Sequence, residues 1–363
     1  MVSQSAMVHR PRLRLPPRSQ GRDGTVPLIG LVVILLGLLA AACAPPPEPS
    51  AGRPRPPTPD AATVSPTVPE RIRVGYSSTS LVILASLVAE QAGFYTAQGL
   101  DAELVQVAPQ ASLAALTTGE LDYVLSLGST VRAAAKGLPV RLVEASLRAP
   151  QFVLVAQADI RAGADLRGKT LGVTSLGGTN FQTAQLLVQH FGLDPQQDVQ
   201  IVGVGEESQL YQALRLGRVQ ATPISPPFPV LAEREGYRLL VNAADVLPLP
   251  QTGVGTSVAK LDTQRAQVRR MVAAEIQGLR FVRAEREATI ALIAERFQME
   301  REVAARSYDL VLPSFSTDGR LDREGLELLL SLDQALGALD VVPPLESVAD
   351  FRLVDEALAL LDR

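Results

Sequence analysis

The chain falls into three stretches when its hydrophobic positions are followed from one end to the other. An apolar run extends from Val26 to Ala42, residues 44–70 show no periodic apolar positions, and from residue 71 short β-type runs alternate with helical ones. Alternation of strand and helix patterns is typical of an α/β fold with largely parallel sheets. We therefore predict an α/β region behind an amino-terminal part that has no core of its own.

The periodic region contains two alternating sets of elements. In the first set we predict strands over 72–76, 102–107, 121–126, 140–145 and 152–156, and helices over 81–92, 112–118 and 131–136. In the second set we predict strands over 170–174, 199–204 and 237–241, and helices over 181–191 and 208–216. Each set is large enough to form the sheet and the covering helices of one lobe.

Beyond Lys260 the pattern is almost wholly helical. Predicted helices cover 263–284, 286–296, 301–310, 322–336 and 353–362. Since a helix buries its apolar stripe against another layer and no further sheet follows, we expect these helices to return to the first lobe. The first lobe would then comprise residues 71–156 and 257–363, with residues 157–256 as the second lobe.

The amino-terminal stretch has the layout of an export signal. Arginines precede the apolar run, which ends in Leu39-Ala-Ala-Ala-Cys43. This ending resembles a bacterial lipobox, except that Ala40 stands where leucine is usual. We predict that residues 1–43 are a lipoprotein signal peptide and that Cys43 is lipidated. An uncleaved anchor is the alternative, because about 17 apolar residues lie at the lower limit for spanning a bilayer. Either arrangement places the rest of the chain outside the cytoplasm.

Residues 44–70, with the sequence APPPEPSAGRPRPPTPDAATVSPTVPE, are dense in proline and small side chains. Such a segment cannot bury a core, and its prolines keep it semi-extended. We predict a tether that holds the folded region away from the membrane.

Composition and charge narrow the classes of function. The formal net charge is -4, and residues 1–43 carry a surplus of positive charge, so the remainder is more acidic still. This balance disfavours a nucleic-acid partner. Cys43 is the only cysteine, and His9 and His190 are the only histidines. After removal of the signal peptide one imidazole remains, which gives few side chains for a zinc site and a single candidate base for a Ser-His-Asp triad. We therefore expect no enzyme activity, no metal and no cofactor.

Several segments after residue 70 follow one another in a distinctive order: RIRVGY, AGFYTAQGLDAELV, LTTGELDYVLSLGS, DLRGKTLGVTSLGGTN and YQALRLGRVQA. In order and spacing they resemble the SsuA-like group of periplasmic solute-binding proteins, which includes the thiamine-pyrimidine proteins. The resemblance implies a type II periplasmic binding protein fold, in which two α/β lobes joined by two crossovers enclose a ligand cleft. Members bind nitrate, sulfonates, taurine or thiamine-related pyrimidines for import through an ABC permease and its ATPase subunits.

Three strand-to-helix loops are candidates for the ligand site. In an open α/β sheet, ligands lie beyond the carboxyl ends of the strands, where helix amino termini offer free N–H groups. The first loop carries Tyr76, Ser78, Thr79 and Ser80, and the resemblance places it at the cleft. The second carries Ser126, Gly128 and Ser129. The third, the strongest candidate, carries Ser175, Gly177, Gly178, Thr179 and Asn180. Ordinary turn and capping chemistry is the alternative for all three loops.

Further residues complete the predicted site. Ser225 and Phe228 belong to a proline-rich loop, in which the ring of Phe228 is available for stacking. Thr252 lies near the second crossover that the resemblance implies. Arg148 is the one basic residue that we consider for the cleft, so the charge of the ligand stays open.

One motif match is set aside. Residues 163–170 fit the phosphate-loop pattern G-x4-G-K-T letter for letter. A phosphate loop follows a strand and opens a helix, whereas a strand-like run follows Thr170, and Asp165 would place negative charge beside a phosphate. We predict a turn that leads into the first strand of the second lobe.

Together these features predict an exported, monomeric solute receptor that is anchored to the membrane through Cys43 and delivers a small molecule to an importer. Two alternatives stay open. One is an enzyme similar to thiamine-pyrimidine synthases, although these rely on histidine. The other is a sensing module that reports its ligand to a membrane receptor.

Overall fold

The computed structural model describes residues 68–77, 80–176, 178–320 and 322–362, all of which belong to one compact unit. The predicted signal peptide with Cys43 and nearly all of the predicted tether lie outside the described residues. So do three candidate site residues, Ser78, Thr79 and Gly177. The predicted tether ends at residue 70, but Glu70 is already part of the first strand.

The described part of the chain contains ten strands, which in chain order are β1 (Glu70–Tyr76), β2 (Leu100–Gln106), β3 (Tyr123–Leu125), β4 (Val140–Leu147), β5 (Val153–Ala156), β6 (Thr170–Val173), β7 (Gln200–Gly203), β8 (Ala221–Ile224), β9 (Arg238–Asn242) and β10 (Thr252–Ser257). The α-helices are α1 (Leu84–Gln91), α2 (Phe94–Ala97), α3 (Pro109–Thr118), α4 (Leu127–Ala135), α5 (Gly178–His190), α6 (Glu207–Arg215), α7 (Phe228–Arg234), α8 (Ala243–Val246), α9 (Val258–Ala284), α10 (Arg286–Arg296), α11 (Arg301–Val311), α12 (Arg323–Ala335) and α13 (Leu353–Leu361).

The strands form two five-stranded sheets, one in each lobe. The first has the order β2-β1-β3-β10-β4, and the second has the order β7-β6-β8-β5-β9. In the first sheet β1 pairs in parallel with β2 and β3, while β10 runs antiparallel to both β3 and β4. In the second sheet β6 pairs in parallel with β7 and β8, while β5 runs antiparallel to β8 and β9. The predicted α/β class is confirmed.

Strands β5 and β10 each lie in the other lobe from the one that the sequence pattern predicts. Strand β5 belongs to the second sheet, although its residues were expected in the first lobe, and β10 belongs to the first sheet. The chain therefore crosses between lobes at residues 148–152 and again at 243–251. An apolar run predicts a strand but not the sheet that contains it, because pairing depends on partners far away in the sequence.

Two strands, β8 and β10, have no counterpart among the predicted elements. Strand β10 has the sequence TGVGTS, and its glycines weaken the signal of a strand. Strand β8 includes Pro223, and proline is unusual in a central strand because it lacks a backbone N–H. The pairing explains how it is tolerated, since β8 meets its parallel neighbour β6 only at Ala221 opposite Leu171.

The helices that follow β10 cover the first sheet. The long helix α9 packs against α1 and α13, and residues from all three join one apolar cluster with Ile72 and Val74 of β1. A second cluster on the opposite face of this sheet, which we call the α4/α12 cluster, includes Leu127, Leu329 and Leu330. The second sheet is covered by α5 and α8 on one face and by α6 and α7 on the other.

Candidate functional site

The two lobes meet where the first turns of α4 and α5 face each other. Gly128 lies in the first turn of α4, and a Cβ atom placed on it would be 3.7 Å from Oγ1 of Thr179 in the first turn of α5. Both helices follow the carboxyl end of a strand, β3 in the first lobe and β6 in the second. Two helix amino termini with free backbone N–H groups therefore converge on the space between the lobes.

In the first lobe, the helix begins earlier than the sequence pattern predicts. Helix α4 starts at Leu127 and not at Val131, so Gly128 and Ser129 are helical residues, and Ser126 is the residue before the helix. The backbone of Ser126 is extended, and its carbonyl accepts a hydrogen bond from Oγ1 of Thr130 at 2.5 Å. All three candidates are half-buried at the end of β3. This turn therefore presents small polar groups close to the second lobe.

The first-strand loop is described only in part. Tyr76 is half-buried and packs beside the apolar cluster that contains β1, so its ring contributes to the core of the first lobe. Ser80 is half-buried and directly precedes the short helical turn at Leu81–Ile83. Tyr76 and Ser80 thus flank the described ends of this loop, and its place at the ligand cleft stays a prediction.

In the second lobe, Asn180 is a structural residue of the cleft rim. Its Oδ1 accepts a hydrogen bond from the backbone N–H of Thr174 at 3.0 Å, and its Nδ2 donates to the carbonyl of Pro223 at 2.8 Å. The side chain is buried. Asn180 thus ties the loop after β6 to β8, and both ends of its amide are occupied by these hydrogen bonds. Gly178 has a φ of +75°, a conformation that favours glycine, and Ser175 is exposed.

The loop after β8 is held by a carboxylate. Ser225 is buried, and both its backbone N–H (3.1 Å) and its hydroxyl donate to Oε2 of Glu207, the first residue of α6. Desolvation raises the pKa of Glu207, and the two hydrogen bonds from Ser225 oppose this rise. Phe228 begins α7 and is not a loop residue. Its ring lies 5.4 Å from the ring of Tyr211, so much of its surface is already occupied by packing.

Two more candidates lie at or next to the crossovers. Thr252 is buried as the first residue of β10 and pairs with Leu147 of β4. Arg148 is exposed, and its Nη2 donates to the carbonyl of Pro313 at 3.2 Å. It lines a cavity of about 460 Å³ together with residues of the second crossover and with residues 316–318. Arg148 therefore lies beside both crossovers, on the wall of this cavity.

Sequence reasoning missed Gln151, which lies in the first crossover and is 2% exposed. Its backbone N–H donates to Oε1 of Gln251 in the second crossover at 2.7 Å. Neither end of its side-chain amide has a hydrogen-bond partner among the described residues. Buried amides in native proteins nearly always have partners, so an amide with two free ends is a candidate for binding a ligand. A lone glutamine after a proline gives no signal of this in the sequence.

The described residues form neither a metal site nor a phosphate loop. No group of three or more His, Cys, Asp or Glu side chains is arranged there to hold a metal ion. At residues 163–170, the phosphate-loop match forms a short helical turn at Gly163–Leu166 and then enters β6 at Thr170. This is the turn and strand predicted from the sequence, so the motif match is coincidental.

Comparison with known proteins identifies relatives of the whole folded region. The family model described as NMT1/THI5 like matches residues 81–289, which is more than half of the chain. A search of curated proteins finds no match. Within the described residues, no helix combines the length and the apolar character needed to cross a membrane.

Solved structures share the fold at low sequence identity. The periplasmic aliphatic sulphonate binding protein SsuA from Escherichia coli is 19% identical with a TM-score of 0.64, covering 77% of this chain and 91% of that chain. The ligand-binding component of an ABC-type import system from Staphylococcus aureus, solved with zinc bound, is 16% identical with a TM-score of 0.66, covering 79% and 99%. These matches confirm the predicted resemblance and the two-lobe fold.

An enzyme also has this fold. The desulfurization enzyme DszB is 17% identical with a TM-score of 0.61, and the match covers 80% of this chain and all of that chain. Another structure of DszB is of a cysteine-to-serine mutant in complex with biphenyl-2-sulfinic acid. The fold therefore occurs in both binding proteins and an enzyme, and the residues of the site must separate the two.

Proposed function

Because the chain belongs to the NMT1/THI5-like family, we propose that it is the extracytoplasmic solute-binding subunit of an ABC importer. The observation that carries this proposal is the convergence of the first turns of α4 and α5, at Gly128 and Thr179, on the space between two lobes. A solute there would accept hydrogen bonds from the free N–H groups of both helices. Binding would bring the lobes together, and the permease would recognise that form.

The proposed ligand is a small solute that both lobes contact. The helix amino termini suit an anion of the sulfonate, nitrate or taurine type. The buried amide of Gln151, which can both donate and accept, suits the polar edge of a heterocycle such as a thiamine-related pyrimidine. Of the residues predicted from the sequence, the first turns of α4 and α5 on which this proposal rests contain Gly128, Ser129, Gly178, Thr179 and Asn180.

The proposed location follows from the amino-terminal sequence. The signal-like residues 1–43 would direct export, and lipidation of Cys43 would anchor a monomer to the outer face of the cell membrane. Residues 44–69 would serve as the tether. The partners would be the permease and its ATPase subunits.

A thermal-shift screen of the purified chain tests the proposal most directly. The panel contains alkanesulfonates, taurine, nitrate, thiamine, its pyrimidine moiety and unrelated metabolites. A ligand that binds the folded state raises its melting temperature in proportion to the logarithm of its concentration, so we expect one chemical class to raise it. The proposal fails if no member of the panel shifts the melting temperature and the protein consumes one of them in a turnover assay.

The similarity to DszB makes an enzyme the second candidate. The described residues contain no cysteine, and their one imidazole, His190, lies exposed at the last residue of α5. Thr179 lies at the other end of this helix, about 16 Å away at 1.5 Å per residue. The residues near the cleft thus lack a nucleophile and base pair of the usual kind. A turnover assay with sulfinates and pyrimidine precursors would detect such an activity.

A further inference from the structure

One face of α5 points toward the first lobe from Thr179 to Leu186. Thr179, Gln182 and Leu186 are spaced by three and four residues, which places them on the same side of a helix. Thr179 approaches Gly128 of α4, and Leu186 packs against both the second-lobe core and the α4/α12 cluster of the first lobe. Gln182 lies between these two contacts. This face is therefore one of the surfaces through which the second lobe touches the first, and ion pairs between α7 and the α11 region form another.

A buried carboxylate of the first lobe accepts a hydrogen bond from Gln182. Asp333 of α12 is 1% exposed, and Nε2 of Gln182 donates to its Oδ1 at 2.9 Å. Arg132 of α4 binds the same carboxylate with two hydrogen bonds, from Nε to Oδ2 at 2.9 Å and from Nη2 to Oδ1 at 2.6 Å. One carboxylate thus joins two helices of the first lobe to one helix of the second.

We infer that Gln182 and Asp333 form a latch between the lobes, and that Gln182 is a positioning residue for solute binding. The inference rests on the proposed function, because the latch acts on the cleft between the lobes. Gln182 follows Thr179 by one helical turn, so the bond to Asp333 fixes how closely the first turn of α5 approaches α4. A change in that distance changes which hydrogen bonds a solute can form with both lobes at once.

The arrangement favours a reversible latch over a permanent joint. When the lobes separate, Asp333 keeps its two bonds to Arg132, so no buried charge is left alone in the first lobe. The contact also has an opposing cost, because Oε1 of Gln182 is buried without a hydrogen-bond partner among the described residues. Separation would return that oxygen to water. When the lobes come together, Gln182 gains a hydrogen bond to the charged Asp333, but its Oε1 loses contact with water. These two effects oppose each other, so the joined and separated forms stay close in free energy.

The test measures the distance between the lobes without any solute. Leu138 of the first lobe and Leu216 of the second are both exposed, and each is replaced by cysteine for spin labelling in the full chain. Cys43→Ala removes the only native cysteine. The interlobe distance distribution is then measured by electron spin resonance for the parent and for Q182E, Q182L and Q189E. Gln189 is an exposed glutamine of the same helix, so Q189E is the matched control.

In Q182E a second carboxylate faces Asp333, so we expect the longer-distance population to rise about tenfold or more relative to the shorter one at neutral pH. Q182L removes the donor without adding charge and should shift the same ratio less. Q189E should match the parent. Thermal unfolding of each variant shows whether it is folded, and Q182L decides the question if Q182E does not fold.

An unchanged distance distribution in folded Q182E and Q182L would overturn the latch, whatever the solute screen shows. Conversely, a latch that opens as expected in a protein that binds none of the solutes would leave the latch standing and contradict the proposed function. If both hold, the affinity for the solute found in the screen should fall in Q182L and stay unchanged in Q189E.

Discussion

At the scale of single residues, the unpaired amide of Gln151 destabilises the fold and is at the same time available to bind a solute. A buried polar group without a partner destabilises the fold by about 1–3 kcal/mol, and both ends of this amide are in that position. We predict that Gln151→Leu raises the free energy of unfolding by about 1 kcal/mol and abolishes measurable binding of the solute found by thermal shift. Urea unfolding and isothermal titration calorimetry measure the two effects.

Gln251 supplies the matched control for that change. It is the acceptor for the backbone N–H of Gln151, so Gln251→Leu leaves a buried donor without a partner. The free energy of unfolding should fall by about 1–3 kcal/mol, opposite in sign to the effect of Gln151→Leu. Equal losses in both variants would mean that Gln151 serves only to support the crossover.

A buried carboxyl in the first lobe makes stability depend on pH. Burial raises the pKa of Glu275 to about 7, while hydrogen bonds donated by Tyr95 and Ser86 oppose the rise. Burial and then the charge of Glu275 also raise the pKa of Glu144. Because the folded state holds the proton of Glu275 more tightly than the unfolded state does, this group destabilises the fold progressively as pH rises from about 4.5 to about 7.

We predict that Glu275→Gln removes part of this dependence. The free energy of unfolding of the parent should fall between about pH 5 and pH 8, by at most about 3 kcal/mol from this group, and the variant should lose less. Urea unfolding at both pH values measures the difference. A variant with the full pH dependence of the parent would show that other groups cause it.

At the scale of elements, close packing of α1 against α9 depends on one glycine. A Cβ atom on Gly278 would lie 2.2 Å from the carbonyl oxygen of Ala85, a backbone atom that cannot move alone. Gly278→Ala should therefore lower the free energy of unfolding by about 1–3 kcal/mol. Gly128→Ala is the control, because its Cβ would make only an ordinary contact with Thr179. The free energies of unfolding are measured by chemical denaturation, and equal losses in the two variants would contradict this interpretation.

Sequence periodicity predicted the carboxyl-terminal helices well, because each buries an apolar stripe, but in the first lobe it began α4 four residues too late and missed the short helix α2. It failed for β10, whose glycines carry little side-chain pattern, and for the sheet membership of β5, which depends on β8 and β9. The same limit applies to the site. Gly128 and Thr179 were predicted because they follow strands, whereas the burial of Gln151 and the hydrogen bonds between Ser225 and Glu207 depend on residues far away in the sequence.

At the scale of the whole molecule, the anchor decides where the folded region works. If Cys43 is lipidated, Cys43→Ala should release the protein from the membrane fraction or block its processing, with no change in the fold of residues 68–362. Fractionation with labelling by a fatty-acid analogue measures both. Labelling that persists in the variant would exclude Cys43 as the anchor, and labelling absent from both forms would support an uncleaved helix instead.

The place of β4 at the edge of the first sheet has a consequence for synthesis on the ribosome. Among the described residues its one strand partner is β10, more than a hundred residues later, and its isolated bridges are to Phe315 and Ala349. The second sheet, in contrast, finds all its pairs within residues 153–242. A nascent chain can thus complete its later lobe while the earlier one still has an unpaired strand, and a premature stop near residue 250 would leave only the second lobe whole.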